Sequence, residues 1–185
     1  VAQANTMAQI RAWSPFVAYQ LEYSLIQRTA EREMIPASKA FDMSVLAWVP
    51  LSSGLLTGKY NLPPTDTSQS KRLKETSLNY TERNLKIAQA VLEVAQESSF
   101  SATQVALAWM RQKYPRTIPI IGARRAEQIT ESLGCLTIQL SEEQMKKLDD
   151  ISAVEMGFPH DFLNRPSVKE ASFGGLYENL INHRQ

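Results

Sequence analysis

The spacing of hydrophobic residues changes several times along this chain, and each change marks an element. In residues 2–12, AQANTMAQIRA, Met7 and Ile10 lie three apart with Trp13 just beyond, which predicts a helix with these residues on one side; Ser14-Pro15 ends it. FVAYQLEYS (16–24) then has strand chemistry, aromatic and β-branched residues following a proline. TAEREMIPASKAF (29–41) predicts a short helix with Pro36 near its first turn, and MSVLAW (43–48) is an unbroken apolar run of the kind buried on both faces of a parallel sheet. After Pro50, residues 52–80 read as a long polar loop, and loops of that length usually carry function. TERNLKIAQAVLEVAQES (81–98) is amphipathic, with Leu85, Ala88, Val91, Leu92 and Ala95 at helical spacing. Ser101 to Gln104 is a capping box opening a second helix, which Pro115 stops. TIPII (117–121) predicts a third buried strand, RRAEQITESLG (124–134) a helix ended by Gly134, and Ser141 to Gln144 a further capping box. Residues 153–185 carry scattered aromatics without a sustained period and read as a tail packed on something larger.

Strands alternating with helices imply α/β architecture with a parallel sheet and helical crossovers. The segments 16–20, 44–48 and 117–121 are therefore expected to be parallel neighbours. Three such strands have two open edges, whereas a closed (β/α)8 barrel needs eight strands and about 250 residues. With a first residue, Val1, inside an apparent helix, the chain is expected to be part of a larger domain.

The 185 residues are 43% apolar and 21% charged with a net charge of +1, which offers nucleic acid or a membrane surface no basic footprint. No apolar run approaches a membrane span of about 18 residues, and no signal peptide is visible. The single cysteine, Cys135, precludes an internal disulfide; metal-ligand spacing is absent, and the cytoplasm is the expected compartment. WVPLSSGLLTGKY (48–60) invites a phosphate reading through its Gly-Lys pair. A P-loop needs GxxxxGK followed by Ser or Thr; here Gly54 to Gly58 is one residue short and Tyr60 stands where the magnesium-binding hydroxyl belongs, so that reading fails.

QLEYSLIQR (20–28), WVPLSSGLLTGKY (48–60), SATQVALAWM (101–110), IPIIGARRAEQITESLG (118–134) and LSEEQMKKLDDIS (140–152) together resemble the aldo-keto reductase family, in its order and spacing. The branch that it resembles includes voltage-gated potassium channel β-subunits and bacterial general reductases. The resemblance implies a (β/α)8 TIM barrel, of which residues 1–152 would form the C-terminal half with strands 6–8, and 153–185 a tail packed on the barrel. It implies reduction of aldehydes or ketones with NADPH, the other half of the barrel being a separate N-terminal part or its place being taken by self-association. The family's catalytic Asp, Tyr, Lys and His belong to earlier strands, so no residue here takes a catalytic role, and Tyr23 and Lys59 occupy other motif positions. The alternative is a truncated homologue that binds a nucleotide or regulates, without chemistry.

The resemblance also assigns a cofactor site. Gln20, closing the first strand, matches the residue that hydrogen-bonds the nicotinamide carboxamide, and Trp48, closing the second, the aromatic stacked on that ring. Val49, Pro50, Leu51, Ser52, Ser53 and Gly54 match the loop along the pyrophosphate, with Lys59 and Arg72 as cations. Gly122, Arg124, Gln128, Glu131 and Ser132 match the face that holds the adenine and its 2′-phosphate, which would favour NADP(H) over NAD(H). Elsewhere the bland readings prevail: Cys135 as a small hydrophobe, His160 and His183 as tail residues without partners, and Glu31-Arg32-Glu33 as a solvated helix face.

Overall fold

The computed structural model describes residues 1–61 and 77–181. Its centre is a parallel sheet of three strands in the order β1 (Ala18–Glu22), β2 (Ser44–Trp48) and β3 (Thr117–Pro119). Gln20 pairs with Leu46 and Leu46 with Ile118, while Glu22 pairs with Trp48. Parallel pairing is thus as expected, although β1 lies two residues further along than 16–20, and β3 stops at Pro119.

Alternation gives the sheet two unlike faces. Val45 and Ala47 are fully buried, and with half-buried Leu21 they pack into the core with Ile87, Val91, Val94, Leu107 and Trp109. These last come from α3 (Glu82–Ser98) and α4 (Ala102–Lys113). The opposite face is open: Gln20 is exposed, Trp48 is 52% exposed and Ile118 54%. Among the described residues the strands form this one sheet, and the helices that share the core with Val45 and Ala47 cover one side of it.

Helix ends follow the sequence closely. Thr81 accepts the Asn84 N–H at the start of α3. Both capping boxes form, Ser101 with Gln104 on α4 and Ser141 with Gln144 on α6 (Glu142–Ile151). Each satisfies two of the orphan N–H groups of a helix start. The first helix departs from its pattern. In α1 (Ala2–Arg11) it is Asn5 and Ala8 that are buried, while Met7, Ile10 and the neighbouring Trp13 are exposed. The Asn5 side-chain amide turns inward instead and clasps the Phe16 backbone: Nδ2 donates to the carbonyl at 3.0 Å, and Oδ1 accepts the N–H at 2.9 Å. The second helical segment splits into a 3-10 turn, Thr29–Arg32, and α2 (Met34–Ala40). Residues 153–181, which show no period, contain two short helices, α7 (His160–Leu163) and α8 (Pro166–Phe173), on a largely exposed segment.

A buried ion cluster joins β1's exit to the last two core helices. Arg28, with its side chain 6% exposed, binds Glu31 through both carboxylate oxygens, at 2.8 and 3.0 Å. Its other nitrogen reaches Asp149 (3.2 Å) and the Ser152 hydroxyl (2.7 Å). Asp149 also accepts from the Trp109 indole at 3.1 Å and pairs with Lys113 at 2.8 Å, and the guanidinium carbon lies 5.1 Å from the Trp109 ring centre. Tyr23 donates to Glu31 at 2.9 Å. The expectation that Glu31 belongs to a solvated face is therefore overturned: one residue of the run turns inward because Arg28 and Tyr23 wait there.

Burial is the largest single influence on Arg28 and opposes its charge, but the Glu31 hydrogen bonds together with the negative charges of Glu31 and Asp149 outweigh it, and the guanidinium is held in its protonated form. Burial, reinforced by Glu31, pushes the Tyr23 phenol well above its ordinary value near 10. Arg28→Ala removes the buried cation that Glu31 and Asp149 share, leaving Glu31 only the Tyr23 hydroxyl and Asp149 the half-exposed Lys113, and is expected to cost about 3–5 kcal/mol in chemical denaturation. For Tyr23 the sign follows from proton uptake. The folded state keeps the phenol proton above pH ~10, where the unfolded chain releases it, so this group's contribution holds at neutral pH and falls as pH rises past ~10. Wild type is expected to lose stability faster than Tyr23→Phe between about pH 10 and 11, measured as the difference in urea midpoint.

Candidate functional site

Parallel strands end together, so the loops that leave them cluster at one rim. β2 ends at Trp48, whose carbonyl accepts the Tyr23 N–H at 3.4 Å, and its ring stands on the open face. Gln20 occupies the same face one row deeper. It does not close β1, as its motif position suggested, because the strand continues to Glu22. Glu22 is the residue that the sequence reading missed: it is beside Trp48 in register and half-buried on the site's face. The i+2 spacing from Gln20 was the signal that could have found it.

Past Trp48 the chain turns through left-handed backbone. Val49, Ser52, Ser53, Gly54 and Gly58 have φ values of 50, 47, 56, 91 and 78°. A β-branched residue such as Val49 is strained there, which marks the turn as held by its surroundings. Those surroundings are apolar. Leu55 and Leu56, within the 3-10 segment Ser52–Thr57, are fully buried, so the expected polar loop begins as a compact turn pinned to the core. Pro50 is buried as well and Leu51 is half-buried.

The two serines diverge. Ser52 was expected beside the pyrophosphate, but it is buried and its hydroxyl meets that of Ser24 at 3.2 Å. Ser24 in turn accepts the N–H groups of Ile26 and Gln27, so this pair braces the loop after β1 against the loop after β2. Ser53 and Gly54 are half-buried at the outer side of the turn. The Lys59 ammonium lies over Gly54, 3.0 Å from where a Cβ would stand, and 5.2 Å from the Tyr60 ring centre. Gly54 thus lets a cation close onto bare backbone. Arg72 lies outside the described residues, as does His183.

The third group follows β3. Gly122 is three residues beyond the strand, and a side chain there would meet nothing within 4 Å. Arg124 and Arg125 precede α5 (Ala126–Leu133), so Arg124 lies just outside the helix that was expected to contain it. Both arginines are exposed, and the Arg124 N–H donates to Gln128 Oε1 at 2.9 Å. Two guanidiniums at a helix start add to the positive end of the dipole, an arrangement suited to a phosphate monoester. Glu131 is exposed one turn beyond Gln128. Ser132, one turn beyond Gln128, is 3% exposed and its hydroxyl donates to the Gln128 carbonyl at 2.8 Å. The shorter serine folds back onto its own helix, where its hydroxyl is engaged with the backbone and not turned toward the expected adenine contact.

Cys135 is buried, and burial raises its thiol pKa, which fits an inert core residue. Among the described residues no group of His, Cys, Asp and Glu could hold a metal, and no helix is long and apolar enough to cross a membrane. A cavity of about 350 Å³ lined by Tyr23, Glu31, Lys39, Lys113 and Tyr114 shares no residue with these three groups.

The chain matches the aldo/keto reductase family over residues 2–153. A putative aryl-alcohol dehydrogenase of Saccharomyces cerevisiae is 30% identical over 177 residues, covering 94% of this chain and 62% of that protein. The NADP(+) aryl-alcohol dehydrogenase of Phanerodontia chrysosporium is 33% identical over 171 residues, covering 86% of this chain and 43% of that protein. Norsolorinic acid reductase of Aspergillus flavus is 26% identical over 88% of the chain and 40% of its own length. The chain thus spans about half the length of the curated relatives it matches. With the strand-end geometry and the family match together, this chain belongs to the aldo/keto reductase family.

Replacing Gly54 by Ala tests the turn. With φ at +91° and Lys59 packed over the α-carbon, the new methyl is expected to cost about 1–2 kcal/mol, read from the urea midpoint.

Proposed function

We propose that this chain supplies the cofactor-binding half of an NADPH-dependent aldo-keto reductase that reduces aldehydes or ketones to alcohols. Residues 1–152 would be the last three strands of a (β/α)8 barrel with their helices, and the following segment would pack against that barrel. One observation carries the reading: Gln20, Glu22 and Trp48 share the uncovered face of the sheet near the strand ends, while α2, α3, α4 and α6 build the core with Val45 and Ala47 on the other face. In a closed barrel that face is the interior, and the rim of strand C-termini is where barrel chemistry is done.

The residues present fit a dinucleotide in part. Trp48 offers an exposed ring, Gly54 an approachable backbone under Lys59, and Arg124, Arg125 and Gln128 a cationic helix start. Ser52 and Ser132 do not contribute their hydroxyls. When bound, the dihydronicotinamide supplies hydride. The chain's own residues would orient it: Gln20 by hydrogen bonding, Trp48 by excluding water from one ring face, Arg124 by charge at the 2′-phosphate. The names of the relatives favour aryl alcohols and NADP(+) as the starting point for assays.

Reduction of a carbonyl also needs an acid at its oxygen, worth typically about 10²–10⁴-fold. Tyr23 is unsuited, since its phenol is buried, bound to Glu31 and pushed to a high pKa. Residues 1–185 alone are therefore expected to turn over no aldehyde, and an N-terminal half, or another copy on the open face, is the proposed complement. The test is NADPH oxidation with 4-nitrobenzaldehyde by the complete native protein and by residues 1–185. Turnover by the 185 residues on their own would refute the division of labour.

Cofactor choice is tested separately. Arg124→Ala in the complete protein is expected to weaken NADPH by about 1.5–3 kcal/mol and NADH far less. Equal losses for the two would remove Arg124 from the 2′-phosphate.

A further inference from the structure

The attachment of α5 is lopsided. Its N-terminal residues, Ala126 to Glu131, are all exposed, and so are Ala123, Arg124 and Arg125 before it. Burial begins only at the far end, with Ser132 and then Cys135. Two side chains of α4 grip that end. Gln104 Nε2 donates to the Glu131 carbonyl at 3.2 Å, and Arg111 Nη1 donates to the Cys135 carbonyl at 2.9 Å. They are seven residues apart and therefore on one face of α4. The helix is held by its tail, and its free head carries Gln128, to which the Arg124 N–H is bonded.

Gln104 is itself fixed, because its Oε1 accepts the Ser101 N–H at 3.0 Å in the capping box. The amide is thus a two-ended link between the start of α4 and the last turn of α5. Gly134 completes the fit: a Cβ at that position would stand 2.2 Å from Gln104 Nε2. The glycine is there for the close approach, since its backbone is right-handed helical with φ at −55° and needs no special freedom. From Glu131 to the head of the helix is about 7 Å at 1.5 Å per residue, so a small tilt at the grip is carried to Arg124 and Gln128.

We propose that Gln104 is a positioning residue for 2′-phosphate recognition: through the Glu131 carbonyl it sets the angle of α5 and so the place of Arg124 and Gln128. This rests on the reading of that helix start as the 2′-phosphate site. Gln104 touches no ligand. Its influence is a selectivity, because the 5′-phosphate contacts belong to the loop after β2 and the adenine is common to both cofactors, while the 2′-phosphate depends on the swinging end of α5.

The test is calorimetric titration of the complete native protein with adenosine 2′,5′-bisphosphate and with adenosine 5′-monophosphate, using two variants. Gln104→Glu keeps the oxygen that the capping box needs and removes the donor to Glu131. Gly134→Ala displaces the amide from the other side at a helical position that tolerates alanine, and it serves if the first variant does not fold. In both, the ratio of affinities for the bisphosphate over the monophosphate is expected to fall about three- to tenfold, the bisphosphate losing more than the monophosphate and Tm changing little. A ratio unchanged in both variants would overturn the proposal, as would equal losses for the two probes in step with Tm, which is the mark of a purely structural link. Equal affinity of wild type for the two probes would overturn the site reading itself, and the positioning role with it.

Discussion

A parallel strand presents side chains to both sides, and a sheet of such strands is stable in water only when both sides are covered. Here the helices cover one side. Val45 and Ala47 vanish beneath α3 and α4, while Trp48 and Ile118 on the other side remain more than half exposed. Most other features answer to this asymmetry. Residues able to meet a ligand, Gln20, Glu22 and Trp48, are all on the uncovered side, and the buried ion cluster is on the covered side or beyond the strand ends. Apolar area on the open face also gives this part of the molecule a reason to associate, since burying it returns roughly 25 cal/mol per Å².

The covered side is where polar residues do structural duty. Arg28 and Arg32 from the turn after β1 and Arg83 from α3 converge on carbonyls at the end of α6 and just after it: Asp149, Ser152, Ala153 and Glu155. A helix C-terminus leaves its last carbonyls unpaired and carries partial negative charge, so guanidiniums are well matched to it. The exit of α6 is thereby fixed to β1's outgoing loop and to the start of α3. The charge after β3 is arranged differently: Arg124 and Arg125 are exposed at a helix start, where they add to positive charge instead of neutralising a negative end.

Patterns that depend on local chemistry were legible in the sequence. The two capping boxes, the parallel strands and the amphipathic face of α3 follow from spacing alone, and the motif order identified the family. What escaped was direction. Ser52 and Ser53 are adjacent, yet one hydroxyl turns into the core to meet Ser24, a partner 28 residues away. Ser132 had the right spacing from Gln128 for a shared face, but a serine in a helix can close on the carbonyl four residues back, and it does. Leu55 and Leu56 were hidden in a stretch read as polar loop because hydroxyls and glycines dominate its composition. In α1 the apolar residues at helical spacing face outward, since Asn5 had a use inside that hydropathy does not register.

That use bears on the sheet's free margin. Within an extended strand the N–H and C=O of one residue point to the same side, and successive residues alternate. The Val17 carbonyl accepts from Ser44 on β2, so the Phe16 pair points away, toward the unpaired margin of β1. There the Asn5 amide supplies one donor and one acceptor in the geometry of a peptide group. A single side chain thus imitates one residue of a neighbouring strand. Any strand that comes to lie along this margin finds Phe16 already taken and its first vacant partner at Ala18. The asparagine is in effect an end stop: a ladder formed along this margin can run back only as far as Ala18, because the peptide groups of Phe16 are already occupied.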